Sequence, residues 1–133
     1  MKIASVTGAD LPLALTMGDA CGIGPEIIAK LFRADEAEGC VVIGDVGVMR
    51  RAAASVGGLL AVAHCERAAD ALQVPVGCIP VLQVEGLPDD LMQAPLGRVD
   101  ARAGAAAARC IERAVALARG GEVAGLVTAP IHK

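Results

Sequence analysis

Apolar positions in this chain come in short blocks separated by amphipathic stretches. Leu11 to Leu15 is an apolar run ending at Thr16, which reads as a strand. "CVVIGD", Cys40 to Asp45, is apolar without alternation, as expected of a strand covered on both faces. "LLAVAH", Leu59 to His64, is a third candidate strand, and "GLVTAP", Gly125 to Pro130, is a late one. "CIPVLQV", Cys78 to Val84, is apolar but carries Pro80. A proline cannot donate to a ladder, so this run is predicted at a sheet edge.

Helical patterns fill the intervals. Pro25 suits the first turn of a helix that runs to about Arg33, with Glu26 at the positive end of its dipole. Ile27, Ile28 and Leu31 form its apolar side, and Lys30 and Arg33 point outward. Val46 to Val56 reads as a second helix, carrying Arg50 and Arg51 and closed by Gly57 and Gly58. Ala101 to Arg119 is the clearest helix. Ala103, Ala107, Cys110, Ile111, Ala114 and Ala118 share one face, and Arg102, Arg109 and Arg113 lie opposite. Asp100 is its predicted N-cap and Gly120 with Gly121 its end. Glu66 to Leu72 reads as a short helix or a loop, and Gly86 to Gly97 as surface turn chemistry. The order of elements predicts an α/β fold: a mainly parallel sheet with flanking helices. No repeat, linker or low-complexity tract divides the chain, so residues 1–133 are read as one segment.

Composition narrows the function. The 133 residues are 55% hydrophobic and 20% charged, enough for a packed interior. With one Phe and neither Trp nor Tyr, that interior is built from Ala, Val, Leu and Ile. A net charge of −3, scattered Lys and Arg, and no stacking aromatics argue against a nucleic-acid partner. No apolar run approaches the roughly 18 residues that span a bilayer, and the first residues lack a signal-peptide core. A cytoplasmic protein is expected. Cys21, Cys40, Cys65, Cys78 and Cys110 form no CxxC pair and read as reduced, mostly buried thiols. Cys21 is the exception to consider: beside a helix N-terminus, a thiolate is favoured.

Two segments could carry chemistry. "TMGDACGIGPE", Thr16 to Glu26, leaves a strand and enters a helix N-terminus, where anions bind in open α/β sheets. Its glycines permit close backbone approach, and Asp19 offers a carboxylate. It is neither a GxGxxG fingerprint nor a P-loop. On local physics alone it reads as a tight turn. Thr128 to Lys133 leaves another strand with a hydroxyl, an imidazole and an ammonium, a set suited to phosphate or carboxylate. His64 is far from His132 in sequence and reads as a surface or capped histidine.

Together, "TMGDACGIGPEII" and "GEVAGLVTAPIHK" resemble the 4-hydroxythreonine-4-phosphate dehydrogenase family of pyridoxal phosphate biosynthesis. The similarity extends over "LGRVDARAGAAAARCIERAVALARGGEVAGLVTAPIHK", Leu96 to Lys133, and covers the chain from about Leu11. Ala20-Cys21 stands where that family usually has Pro-Ala. The resemblance implies an isocitrate/isopropylmalate dehydrogenase-like fold, a homodimer, and an active site in an interdomain cleft. It implies NAD(P)-dependent oxidation and decarboxylation of 4-phosphohydroxy-L-threonine, with a divalent metal (Zn, Mg or Co) held by three histidines. Those histidines, and a Gly-His-Thr motif, belong downstream of the position matching Lys133. The chain is therefore expected to be the N-terminal part of such an enzyme, to contain no catalytic residue or metal ligand, and to be inactive alone.

Within that frame Gly18 and Asp19 are the expected cofactor-binding residues, and His132 and Lys133 the expected substrate-binding ones. A catabolic relative acting on phosphorylated threonate or erythronate shares these motifs. A non-catalytic α/β module that binds a small anion is the alternative from another class. Beside the carboxy-terminal motif, the glycine loop is better read as one wall of an oxidoreductase cleft than as a turn alone.

Overall fold

The computed structural model describes residues 11–130. Five strands, β1 (Leu13–Thr16), β2 (Cys40–Gly44), β3 (Ala61–Cys65), β4 (Cys78–Gln83) and β5 (Gly125–Thr128), form one sheet in the order β3-β4-β2-β1-β5. Every neighbouring pair is parallel. The helices are α1 (Gly24–Arg33), α2 (Val46–Val56) and α3 (Ala101–Arg119), with 3-10 turns at Ala68–Gln73 and Leu91–Gln93. The turn at Ala68–Gln73 resolves the ambiguous stretch after β3 as a short helix.

The crossovers explain the layers. From β1 the chain steps to β2 and on to the edge strand β3, and α1 and α2 on these connections pack side by side. It then turns back to β4 and crosses to β5 through α3, which packs on β1, β2 and β5. Right-handed crossovers moving in opposite directions along a sheet lie on opposite faces. Both faces of the centre are thereby covered, and β2 is buried at every position. Val41, Val42 and Ile43 are fully buried, each contributing about 1.5–3 kcal/mol on the usual area scale. β5 borders the sheet among the described residues, with Val127 48% exposed.

α3 buries Ala103, Ala106, Ala107, Cys110, Ala114 and Leu117. The predicted face is slightly rotated: Ile111 and Ala118 are half-buried, and Ala106 and Leu117 take the inner positions. Small residues here let the helix lie close to the sheet.

β4 corrects the sequence reading. It is an interior strand between β3 and β2, not an edge. Its pairing with β3 starts at Cys78, whereas its pairing with β2 starts only at Val81. Val84 donates its N–H to Gly44 of β2 at 2.9 Å. On an extended strand backbone groups alternate sides, so position 80 also faces β2. Pro80 thus lies just ahead of that ladder, where a missing N–H breaks no bond. The segment 86–97 is also more than surface: Leu91 and Ala94 are each 3% exposed.

Candidate functional site: the open exit of β1

The carboxyl edge of the sheet is where ligands meet open α/β folds. All three helices begin there, each following a strand or its connection. At β2 the exit is closed from within. Asp45 caps α2, accepting the Val48 N–H at 2.8 Å through Oδ2. Its Oδ1 accepts from Gln83 Nε2 at 3.0 Å, and Gln83 Oε1 accepts the Val46 N–H at 2.9 Å. At α3, Asp100 accepts the Arg102 N–H at 2.9 Å. Hydrogen bonds from Arg102 to this carboxylate hold its pKa down at about 2.

The exit of β1 differs. The N-cap of α1 is Ile23, with helical φ of −91° and ψ of −7°, and among the described residues no side chain caps the helix. Thr16 Oγ1, fully buried at the end of β1, has no hydrogen-bond partner among the described residues. Between them runs the glycine loop. Asp19 is 8% exposed, and its Oδ1 accepts the Cys21 N–H at 2.8 Å. Its backbone oxygen accepts from Gly22 at 2.9 Å, tightening the turn.

This loop is seated on the exit of β5. The Asp19 N–H donates to Pro130 O at 3.1 Å, and the Ala129 N–H to Thr16 O at 3.2 Å. Gly18 has φ of +75°, and a Cβ there would lie 2.4 Å from Pro130 O. At Gly24 a Cβ would lie 2.5 Å from Met17 O. Glycine is required at both positions for this approach. The two exits flagged in the sequence are therefore brought together as far as Pro130. His132 and Lys133 lie outside the described residues.

Cys21 corrects a second expectation. It is 3% exposed. Burial first, then the Asp19 and Asp100 carboxylates, push its thiol pKa up despite Arg51 and Arg102 nearby. A favoured thiolate is not what this site makes. Cys40 and Cys110 are likewise pushed up by burial, to about 11 and about 12. His64 is exposed on β3, as read from the sequence. Asp45 and Gln83 escaped sequence reading because they meet across 38 positions. The available signal was a lone Asp closing an apolar run before a helix. Among the described residues no group of three His, Cys, Asp or Glu could hold a metal ion. No helix among them is long and apolar enough to cross a membrane.

Residues 36–133 match the family described as pyridoxal phosphate biosynthetic protein PdxA. The chain belongs to the PdxA family. It is 42% identical over 126 residues to a 4-hydroxythreonine-4-phosphate dehydrogenase of Beijerinckia indica, covering 93% of this chain and 36% of that protein. It is 44% identical over 124 residues to a D-threonate 4-phosphate dehydrogenase of Pectobacterium atrosepticum, covering 91% and 37%. A crystal structure of a 4-hydroxythreonine-4-phosphate dehydrogenase from Burkholderia phymatum superposes with a TM-score of 0.78 at 38% identity, covering 92% of this chain and 37% of that one. The chain spans little more than a third of the length of these relatives. The PdxA assignment bears out the resemblance read from the two motifs and the α/β sheet expected of it.

Proposed function

We propose that this PdxA-family chain is part of an NAD(P)-dependent dehydrogenase of a 4-phosphorylated hydroxy acid, working as a cytoplasmic homodimer. Relatives similar to this chain are named for 4-hydroxythreonine 4-phosphate and for D-threonate 4-phosphate. Both names share a phosphorylated hydroxylated chain, and that is the substrate class assigned.

The observation that carries the proposal is the seat of the glycine loop against the β5 exit, with the Asp19 N–H on Pro130 O at 3.1 Å. There Gly18 lets backbone approach backbone, and the uncapped start of α1 offers amide N–H groups to an anionic group. Thr16 Oγ1 adds a polar atom in need of a partner. These features fit the phosphates of a dinucleotide, which when bound supplies the hydride acceptor. Gly18 and Asp19 are the cofactor-side residues in this reading. Asp19 fixes the loop through Cys21. His132 and Lys133, just beyond Pro130 in sequence, are assigned to the phosphate end of the substrate.

Saturation-transfer NMR with NAD and NADP tests the reading. Transfer to the dinucleotide is expected with the folded chain, weakened by Asp19→Ala, which removes the acceptor of the Cys21 N–H. A folded chain giving no transfer from either dinucleotide at millimolar concentration would overturn it.

A further inference from the structure

The glycine loop is not held by its own turn alone. Arg51, on α2, brings Nη2 to 3.2 Å from Ala20 O and Nη1 to 3.3 Å from Met92 O. One guanidinium thus bridges carbonyls from two separate connections, the exit of β1 and the segment leading from β4 to α3. A planar fork with several donors is suited to this bridge, and an ammonium is not. Beside it, the Gly97 N–H donates to Cys21 O at 2.7 Å. The segment 86–97 is fastened at its other side as well, where Asp90 Oδ2 meets Arg102 Nη1 at 3.0 Å. Leu91 and Ala94, buried beneath it, press it onto the body of the fold.

We propose that Arg51 is a positioning residue for the glycine loop: it clasps segment 86–97 across the loop as a strap, and releasing the clasp opens the loop and bares Cys21. This deepens the cofactor reading above, since it concerns the same loop, but the clasp does not depend on what the loop binds. Cys21 is the built-in reporter. It lies under the strap, whereas Cys40 and Cys110 lie in the core at 2% and 0% exposure and report global opening.

The test is alkylation of the native 133-residue chain by iodoacetamide, followed site by site by mass spectrometry. Arg51→Gln is expected to speed Cys21 by about ten-fold or more, the scale on which hydrogen bonds from a charged donor are lost. Cys40 and Cys110 keep their rates. Arg51→Lys, able to reach one carbonyl at a time, gives an intermediate rate. Electrostatics cannot mimic the result. The Arg51 cation pulls the Cys21 pKa down, so its removal alone would slow alkylation. Asp90→Asn, which cuts the other fastening without touching Arg51, speeds Cys21 by a smaller factor. An unchanged Cys21 rate in Arg51→Gln, or a rise shared by all three cysteines with a lowered Tm, overturns the proposal. A chain that binds no dinucleotide would leave these rates as they are, so the two readings fail separately.

Discussion

The exits of β1 and β2 occupy equivalent places in the fold and are built in opposite ways. The strands are parallel neighbours in register from Leu13 with Cys40 to Thr16 with Ile43. Each leads at the same edge of the sheet into a helix N-terminus. At β2, the side chains of Asp45 and Gln83 satisfy each other and two amides of α2. At β1 the side-chain cap is missing and a buried hydroxyl has no described partner. Position at the carboxyl edge is therefore not what distinguishes the two exits. The distinction is whether the local sequence consumes its own polar groups. Buried polar atoms are normally paired, and an exit that leaves them unpaired has capacity for a ligand.

The largest expected effect comes from breaking the open exit itself. Gly18→Ala places a Cβ 2.4 Å from Pro130 O at φ of +75°. Neither backbone can yield easily, because Asp19 and Ala129 tie them together on both sides. Overpacking together with left-handed strain predicts a loss of about 2–4 kcal/mol. Urea denaturation measures it. A loss within about 0.5 kcal/mol, the scale of a neutral surface change, would mean that the loop is not seated on β5.

The sealed exit should fail by a different route. Asp45→Ala removes the cap of α2 and the acceptor of Gln83, predicting a loss of about 1–3 kcal/mol. Asp45→Asn, a good cap, restores most of it. Because this exit consumes its own polar groups, neither change should alter the Cys21 alkylation rate. A changed rate would show that the two exits are one unit and erase the contrast.

The fold was legible in the sequence wherever a local rule decided the outcome. Asp100 starts α3, and Gly57 and Gly120 end α2 and α3, because capping is chemistry among residues a few positions apart. The continuous apolar run of β2 announced a strand buried on both faces. Pro80 misled for the opposite reason. Its cost depends on where the β2 ladder begins, and that register is set by partners nearly forty positions away. The candidate site was half legible. Glycines and Asp19 marked the loop, but the Arg51 bridge joins residues 31 and 41 positions apart and nothing local announces it. Cys21 was read from its nearness to a helix start, and burial decided its ionisation instead.

The smallest effect sharpens the comparison most. If α1 lacked a cap only because position 23 holds the wrong side chain, Ile23→Asn should mend it and stabilise the chain by about 1 kcal/mol. The backbone argues otherwise. Asp45 and Asp100 cap from extended conformations, with ψ of 128° and 131°. Ile23 sits at ψ of −7°, already turned into the helix. A short polar side chain there points away from the first free amides. Ile23 is also 60% exposed, so little packing is lost on replacement. The expected change is within about 0.5 kcal/mol, as for an exposed site without special geometry. A rise in Tm matching a full cap would show that the open N-terminus is an accident of one residue. No change would show that it is written into the backbone of the loop, where Gly18, Gly24 and the β5 exit hold α1 away from any cap of its own.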